Sequence, residues 1–110
     1  MFQLADALVV RVYHVTRNVP TEERYGIQKQ VRRAAISVPC NIIEGCARRS
    51  EREYLHFINI AFGSAAETRY LLDLATRLGF IVAPDAASLC GAYEELLKKL
   101  QKLLQAIERM

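Results

Sequence analysis

Glu53 and His56 have the spacing of a metal-ligand pair, because residues three apart lie on one face of a helix. Such Glu-x-x-His pairs bind di-iron centres in four-helix bundles, but a complete site needs a second pair and two further inward-facing carboxylates. His14 has no glutamate three residues before it, and the last third of the chain has no histidine. We therefore predict no metal site and no cofactor, and we assign Glu53 to helix capping.

The three cysteines suggest a second possible chemistry, a cysteine nucleophile activated by a histidine. Such a nucleophile needs a lowered thiol pKa and a base held beside it, and no motif in the sequence arranges Cys40, Cys46 or Cys90 with His14 or His56 in this way. The chain also has no P-loop or glycine-rich phosphate cradle. We therefore predict no catalytic residues, no small-molecule substrate and no enzymatic activity.

Basic residues are concentrated in one part of the chain. Residues 24–52 contain seven arginines and lysines against two glutamates, a net charge of +5, whereas the whole chain carries +3. Such a concentration indicates either a face that binds anions, including nucleic acid, or a surface that serves solubility. The candidate nucleic-acid contacts form a predicted basic edge: Arg24, Lys29, Arg32, Arg48, Arg49 and Arg52.

The length and composition limit the kind of fold that can hold these residues. A chain of 110 residues with 52% hydrophobic residues is long enough for one globular domain with one core. Its apolar runs are too short to span a bilayer, and the N-terminal stretch lacks the features of a signal peptide. Three cysteines, an odd number without a CxxC pair, favour a reducing compartment. We expect a cytoplasmic protein with no membrane partner.

Apolar residues recur every three or four positions, which predicts an all-α protein. We predict one domain, residues 1–110, with helices at about 3–17, 21–46, 50–78 and 84–108, packed as an up-down-up-down four-helix bundle. Ser50 and Glu53 form a capping box that begins the third helix, and Gly79 suits a left-handed turn that ends it. Pro84 suits the first turn of the fourth helix.

Pro39 lies inside the second predicted helix. Proline removes one backbone N–H and deprives the carbonyl of Ala35 of its usual donor. The apolar positions keep the same phase on both sides of Pro39, so we predict one kinked helix rather than two helices joined by a loop. A polar stripe runs beside the apolar face at steps of three and four residues: Arg33, Ser37, Asn41, Glu44 and Arg48. This stripe serves either to repair the kink or to bind a ligand.

Two further features concern packing between helices or chains. Ile36 and Ile43 lie one heptad apart and away from the main apolar face, which indicates either an oligomer interface or a wide core face. Four small residues lie in the middle of the third helix, Gly63, Ser64, Ala65 and Ala66, and glycine there costs about 1 kcal/mol relative to alanine. We expect a close approach of the second helix there, through Ala34 and Ala35.

The central sequence RRAAISVPCNIIEG, followed by YLHFINIAFGSAAE and LGFI, resembles the bacterial 23S rRNA intervening-sequence family of four-helix-bundle proteins. The resemblance covers roughly residues 22–81. It implies a four-helix bundle and, for several relatives, a ring of five subunits, with no established enzyme activity. A related branch is similar to the accessory protein of diversity-generating retroelements, a basic pentameric barrel that is thought to contact nucleic acid and a reverse transcriptase.

From these observations we expect a homo-oligomer, a pentamer by resemblance, that acts as a non-enzymatic binding module for RNA, DNA or a nucleic-acid-handling protein. The alternative is a scaffold whose partner is another protein and which makes no direct contact with nucleic acid. In the first case the basic edge makes the contact, and in the second the surface around Ile36 and Ile43 does.

Overall fold

The structure, a computed structural model, describes residues 1–109, with all side chains in that range except those of residues 24 and 25. These residues form four α-helices and no strand, which confirms the predicted all-α fold. The helices are α1 (Phe2–Val15), α2 (Lys29–Cys46), α3 (Glu51–Arg77) and α4 (Ala83–Glu108). The helices α1 and α3 each pack against both α2 and α4, as in a bundle. The up-down-up-down order stays a prediction.

The second helix begins later than the sequence pattern predicts. Thr21–Glu23 forms a 3-10 turn and Arg24–Gln28 a π-helical turn, so that α2 itself begins at Lys29 and not near residue 21. The interruption lies at Gly26, whose φ of −96° and ψ of −108° are not helical. Gln28 then donates from Nε2 to the carbonyl of Thr16 at 2.9 Å, which joins this segment to the end of α1.

Pro39 is buried inside α2, and the helix continues on both sides of it. The prediction of one helix rather than two is therefore confirmed, whereas the kink at Pro39 stays a prediction. The continuous face follows from the spacing of the buried residues, since Val31, Ala35, Val38 and Ile42 recur every three or four positions. This face forms one side of the core.

The C-terminal end of α3 is capped as the sequence predicts, and its N-terminal end shows one of the two hydrogen bonds of the predicted capping box. The hydroxyl of Ser50 accepts a hydrogen bond from the N–H of Glu53 at 3.1 Å. At the other end, Gly79 has a φ of 81°, its N–H bonds to the carbonyl of Thr76, and the N–H of Phe80 bonds to that of Ala75. This pair of bonds is a Schellman motif, which requires a left-handed residue at the glycine. The helix α4 follows after a short connection, with Pro84 in its first turn.

The helices α2 and α3 approach closely at Gly45, whereas Gly63 takes no part in the close approach that the sequence predicts around residues 63–66. In that stretch the contact with α2 is made by Ser64, whose hydroxyl lies 2.8 Å from that of Ser37. Gly63 is exposed, and a Cβ atom added there would meet nothing within 4 Å. A Cβ atom at Gly45 would lie 3.0 Å from Cδ1 of Tyr54 and 3.3 Å from Cβ of Phe57. The absence of a side chain at Gly45 therefore lets the last turn of α2 pack directly on the start of α3.

Tyr93 is fully buried on α4, and its hydroxyl has no hydrogen-bond partner among the described residues. Burial raises the pKa of this hydroxyl, and the charge of Arg11 opposes that effect more weakly. An unpartnered buried hydroxyl costs roughly 1–3 kcal/mol of desolvation. We therefore expect Tyr93→Phe to raise the free energy of unfolding by about 1 kcal/mol, measured by urea denaturation. A loss of stability would show that the hydroxyl has a partner.

Candidate nucleic-acid interface

The connection between α2 and α3 carries three arginines within five residues. The helix α2 ends at Cys46, and the N–H of Arg48 bonds to the carbonyl of Gly45 at 3.1 Å, which turns the chain back towards α3. Ser50 then caps α3. Arg48, Arg49 and Arg52 are all exposed in this short segment. We name these three residues the arginine turn.

Arg48 is held in place by two contacts. Its Nη2 lies 2.6 Å from Oε2 of Glu44, one helical turn earlier, and its guanidinium carbon lies 4.8 Å from the ring centroid of Phe57 on α3. The side chains of Arg48 and Glu44 keep 42% and 52% of their surface exposed, so water screens the pair and it contributes little to stability. The contacts instead orient the guanidinium while leaving it open to solvent, where its remaining N–H groups can donate to a phosphate.

Arg49 and Arg52 form no ion pair with any described carboxylate. Arg48 and Arg49 line an open pocket of about 320 Å³ together with Ser50, Glu51 and Tyr54. Tyr54 is half-buried, and burial, followed by the nearby Cys46 thiol, raises the pKa of its hydroxyl. The arrangement presents exposed positive charge beside two half-buried aromatic rings, Tyr54 in the pocket and Phe57 next to Arg48.

The other residues of the predicted basic edge lie elsewhere on the molecule. Lys29 and Arg32 lie in the first turn of α2, whereas the arginine turn follows its last turn, about 25 Å away at 1.5 Å per residue. The side chain of Arg24 lies outside the described residues. The helical stretch of α2 separates the two groups, which a net charge counted along the sequence cannot reveal.

Arg32 has a structural role, because its side chain bonds to the end of α1. It is half-buried, its Nε donates to Oγ1 of Thr16 at 2.9 Å, and its Nη2 donates to the carbonyl of Tyr13 at 3.3 Å. Its guanidinium carbon also lies 4.3 Å from the ring centroid of Tyr13. These contacts join the start of α2 to the end of α1, where a positive charge also suits the helix dipole. Lys29, by contrast, is exposed.

The predicted polar stripe contacts α3 through three of its five residues, Arg33, Ser37 and Arg48. Asn41 donates from Nδ2 to the carbonyl and the hydroxyl of Ser37, and that hydroxyl lies 2.8 Å from the hydroxyl of Ser64 on α3. Arg33 forms an exposed ion pair of 2.9 Å with Glu67, also on α3. The amide of Asn41 thus bonds to Ser37 and not to the carbonyl of Ala35. These contacts favour a structural role in joining the two helices.

Ile36 and Ile43 are 39% and 55% exposed, so they do not belong to the core of the single chain. On α1, Phe2, Val10 and Tyr13 are exposed by 39%, 53% and 37% at helical spacing. Tyr13 on α1 contacts Arg32, which precedes Ile36 on α2 by one turn, so the two sets of residues lie on neighbouring helices. We name the five residues the apolar face. The sequence pattern does not identify the three α1 residues of this face. Apolar residues occur on both the buried and the exposed side of α1, so their spacing does not separate the two sets.

The residues considered for metal binding and nucleophilic chemistry do not come together. Throughout the described part of the chain, no three His, Cys, Asp or Glu residues form a group that could hold a metal ion. Glu53 and His56 are exposed, and so are Cys40 and Cys46. Burial raises the pKa of the Cys90 thiol, which is opposite to what a nucleophile requires.

The fold and the arrangement of its surface define an all-α four-helix protein. The family model described as 23S rRNA-intervening sequence protein matches residues 1–102, and the chain belongs to that family. The match confirms the resemblance found in the central sequence and extends it to α1 and most of α4. Comparison with curated proteins finds no match. Within residues 1–109, no helix combines the length and apolarity needed to cross a membrane.

One similar solved structure is the crystal structure of a protein of unknown function from Bacteroides thetaiotaomicron, assigned to the S23 ribosomal protein family. Its TM-score to this chain is 0.86 at 25% sequence identity, and the match covers 94% of this chain and 96% of the other. The two proteins therefore share the whole fold.

Proposed function

We propose that this protein is a cytoplasmic, non-enzymatic homo-oligomer that binds RNA or DNA through the arginine turn. The observation that supports the proposal most is the exposure of Arg48, Arg49 and Arg52 on one short connection, with Arg49 and Arg52 free of described ion pairs. Arginine suits phosphate because its planar guanidinium can donate two parallel hydrogen bonds.

Binding of this kind is driven by phosphate contacts and falls steeply with salt, because bound cations are released from the nucleic acid. The sequence and the site contain no element that reads bases, so we expect little sequence preference. Tyr54 is the aromatic residue that lines the pocket of Arg48 and Arg49, and its half-buried ring offers at most one stacking surface for an unpaired base. A preference for single strands, if present, is expected to depend on Tyr54.

The proposal is tested by fluorescence anisotropy with labelled single-stranded RNA, single-stranded DNA and duplex DNA at about 50 mM salt, followed by a salt titration. We expect binding at the lower salt and a linear decrease of log Kobs with log salt. No binding to any of the three at about 50 mM salt would rule out direct contact with nucleic acid.

We further propose that the apolar face is an interface between copies of this chain, in a ring of five subunits. An exposed set of five large apolar residues on two neighbouring helices is typical of a surface that is covered in an assembly. A ring repeats the arginine turn once per subunit, so that weak individual contacts add through multivalency. Assembly then depends on the apolar face and each single contact with nucleic acid on the arginine turn, so the two are tested with different variants.

The double variant Ile36→Ser/Ile43→Ser is expected to lower the mass of the assembly, since it removes the two isoleucines of the apolar face without touching the core. Multi-angle light scattering measures the mass directly. The matched control is Leu78→Ser/Val82→Ser, two residues that are 55% and 66% exposed at the α3–α4 connection. An unchanged mass for the isoleucine variant would show that the apolar face does not mediate assembly.

The same apolar face also supports the second candidate function, a scaffold for a protein partner. In that case the wild-type protein shows no salt-dependent binding to nucleic acid, and partner capture depends on Ile36 and Ile43 but not on the arginine turn. Identification of what co-purifies with the native protein at low and high salt separates the two functions.

A further inference from the structure

A second pocket lies between the C-terminal half of α1 and the first turns of α4. Its volume is about 330 Å³, and it is lined by Arg11, His14, Val15, Arg17, Asp85 and Ser88. None of these residues belongs to the arginine turn or to the apolar face. The end of α1 is joined to the start of α2, so this pocket lies at the opposite end of α2 from the arginine turn.

The polar side chains of this pocket are mostly hydrogen-bond donors. Arg11 donates from Nη2 to Oγ of Ser88 at 3.0 Å, which holds its guanidinium across the gap between α1 and α4. Neither Arg11 nor Arg17 forms an ion pair with a described carboxylate. Asp85 is the one carboxylate among the lining residues, so the two arginines leave an excess positive charge, and His14 adds a further donor.

The helix dipole explains only part of this arrangement. Cations are favoured near the C-terminal end of a helix, which accounts for His14 in the last turn of α1 and for Arg17 just beyond it. Arg11 lies a turn earlier and is directed to α4 by its bond to Ser88. Two guanidinium groups, one from α1 and one from just beyond its end, therefore border the same open pocket, and a phosphate bound there can accept from both.

We propose that this pocket binds a phosphate monoester, with Arg11, Arg17 and His14 donating to its oxygens. The volume exceeds what a phosphate ion alone needs and lies at the lower end of the range for small-molecule sites, which leaves room for an attached sugar. Such a group occurs on a free nucleotide and at the 5′ end of a nucleic-acid strand. The proposal does not depend on the function assigned to the arginine turn.

Isothermal titration calorimetry with AMP and with inorganic phosphate at about 50 mM salt tests the site on the full chain. Arg17→Gln is expected to weaken AMP binding at least fivefold, because it removes one of the two charges. Asp85→Asn is expected to strengthen binding severalfold, because it removes the opposing charge. Lys98→Gln, an equal change of charge on the exposed surface of α4, is expected to leave the affinity unchanged.

A second pair of ligands distinguishes the sources of the phosphate. Anisotropy compares one oligonucleotide with a 5′-phosphate and the same oligonucleotide with a 5′-hydroxyl. If the phosphorylated strand binds more tightly and Arg17→Gln removes the difference, the site exists and its ligand is a strand end. If only AMP binds in a way that depends on Arg17, the site exists and its ligand is a free nucleotide. The proposal is overturned if none of these ligands binds, or if Arg17→Gln and Lys98→Gln behave alike.

Discussion

Gly45→Leu is expected to lower the free energy of unfolding by about 3 kcal/mol, at the upper end of the usual cost of overpacking. Even the first side-chain carbon at this position would lie 3.0 Å from the ring of Tyr54 and 3.3 Å from Cβ of Phe57. A leucine therefore has to push α3 away from the last turn of α2. Urea denaturation at a fixed protein concentration measures the change.

Gly63→Ala is the matched control for this prediction. Both glycines lie inside helices, but a Cβ atom at Gly63 meets nothing within 4 Å. Alanine favours the helix over glycine by about 1 kcal/mol, so this variant is expected to be more stable than the wild type by that amount. If Gly45→Leu were as stable as the wild-type protein, α2 and α3 would not be as close at Gly45 as described.

The two glycines also show how far the sequence predicts the fold. Helical periodicity gives the direction of each residue around its own helix, and it correctly predicts the four helices, the continuity of α2 across Pro39 and both caps of α3. It does not give the distance to a neighbouring helix. Gly45 and Gly63 are therefore equally plausible positions for close packing until the helices are placed side by side.

The sequence predicts only part of the candidate site, because charge counted along the chain does not give the positions of side chains in space. Local charge density identified Arg48, Arg49 and Arg52, because these residues are adjacent in the chain as well as in space. It also included Arg32, whose bonds to Thr16 and to the carbonyl of Tyr13 join α2 to α1. The sequence does not reveal the basic pocket of α1 and α4, because its two sides, residues 11–17 and residues 85–88, are 68 to 77 positions apart.

Replacement of the whole arginine turn, Arg48→Gln/Arg49→Gln/Arg52→Gln, is expected to weaken nucleic-acid binding at least tenfold at about 50 mM salt. Each lost phosphate contact is also expected to lower the slope of log Kobs against log salt by about one. Glutamine keeps much of the side-chain length, and the lost ion pair with Glu44 is exposed, so the fold should be retained. Circular dichroism checks the fold, and anisotropy measures the affinity.

The matched control replaces Lys98, Lys99 and Lys102 by glutamine, since all three are exposed on α4 and the change in net charge is the same. Affinity in this variant is expected to fall only slightly. Equal losses in the two triple variants would show that net charge, and not the arginine turn, governs binding. An unchanged affinity in the arginine variant would place the contact elsewhere on the protein.

The most direct test of the central claim is ultraviolet crosslinking of the wild-type protein to RNA at about 50 mM salt, with the crosslinked peptides identified by mass spectrometry. Cys46 and Tyr54 line the same pocket as Arg48 and Arg49, and both side chains can form crosslinks with a neighbouring base. We expect crosslinks within residues 46–57. Crosslinks confined to other segments, with none in this one, would contradict binding through the arginine turn.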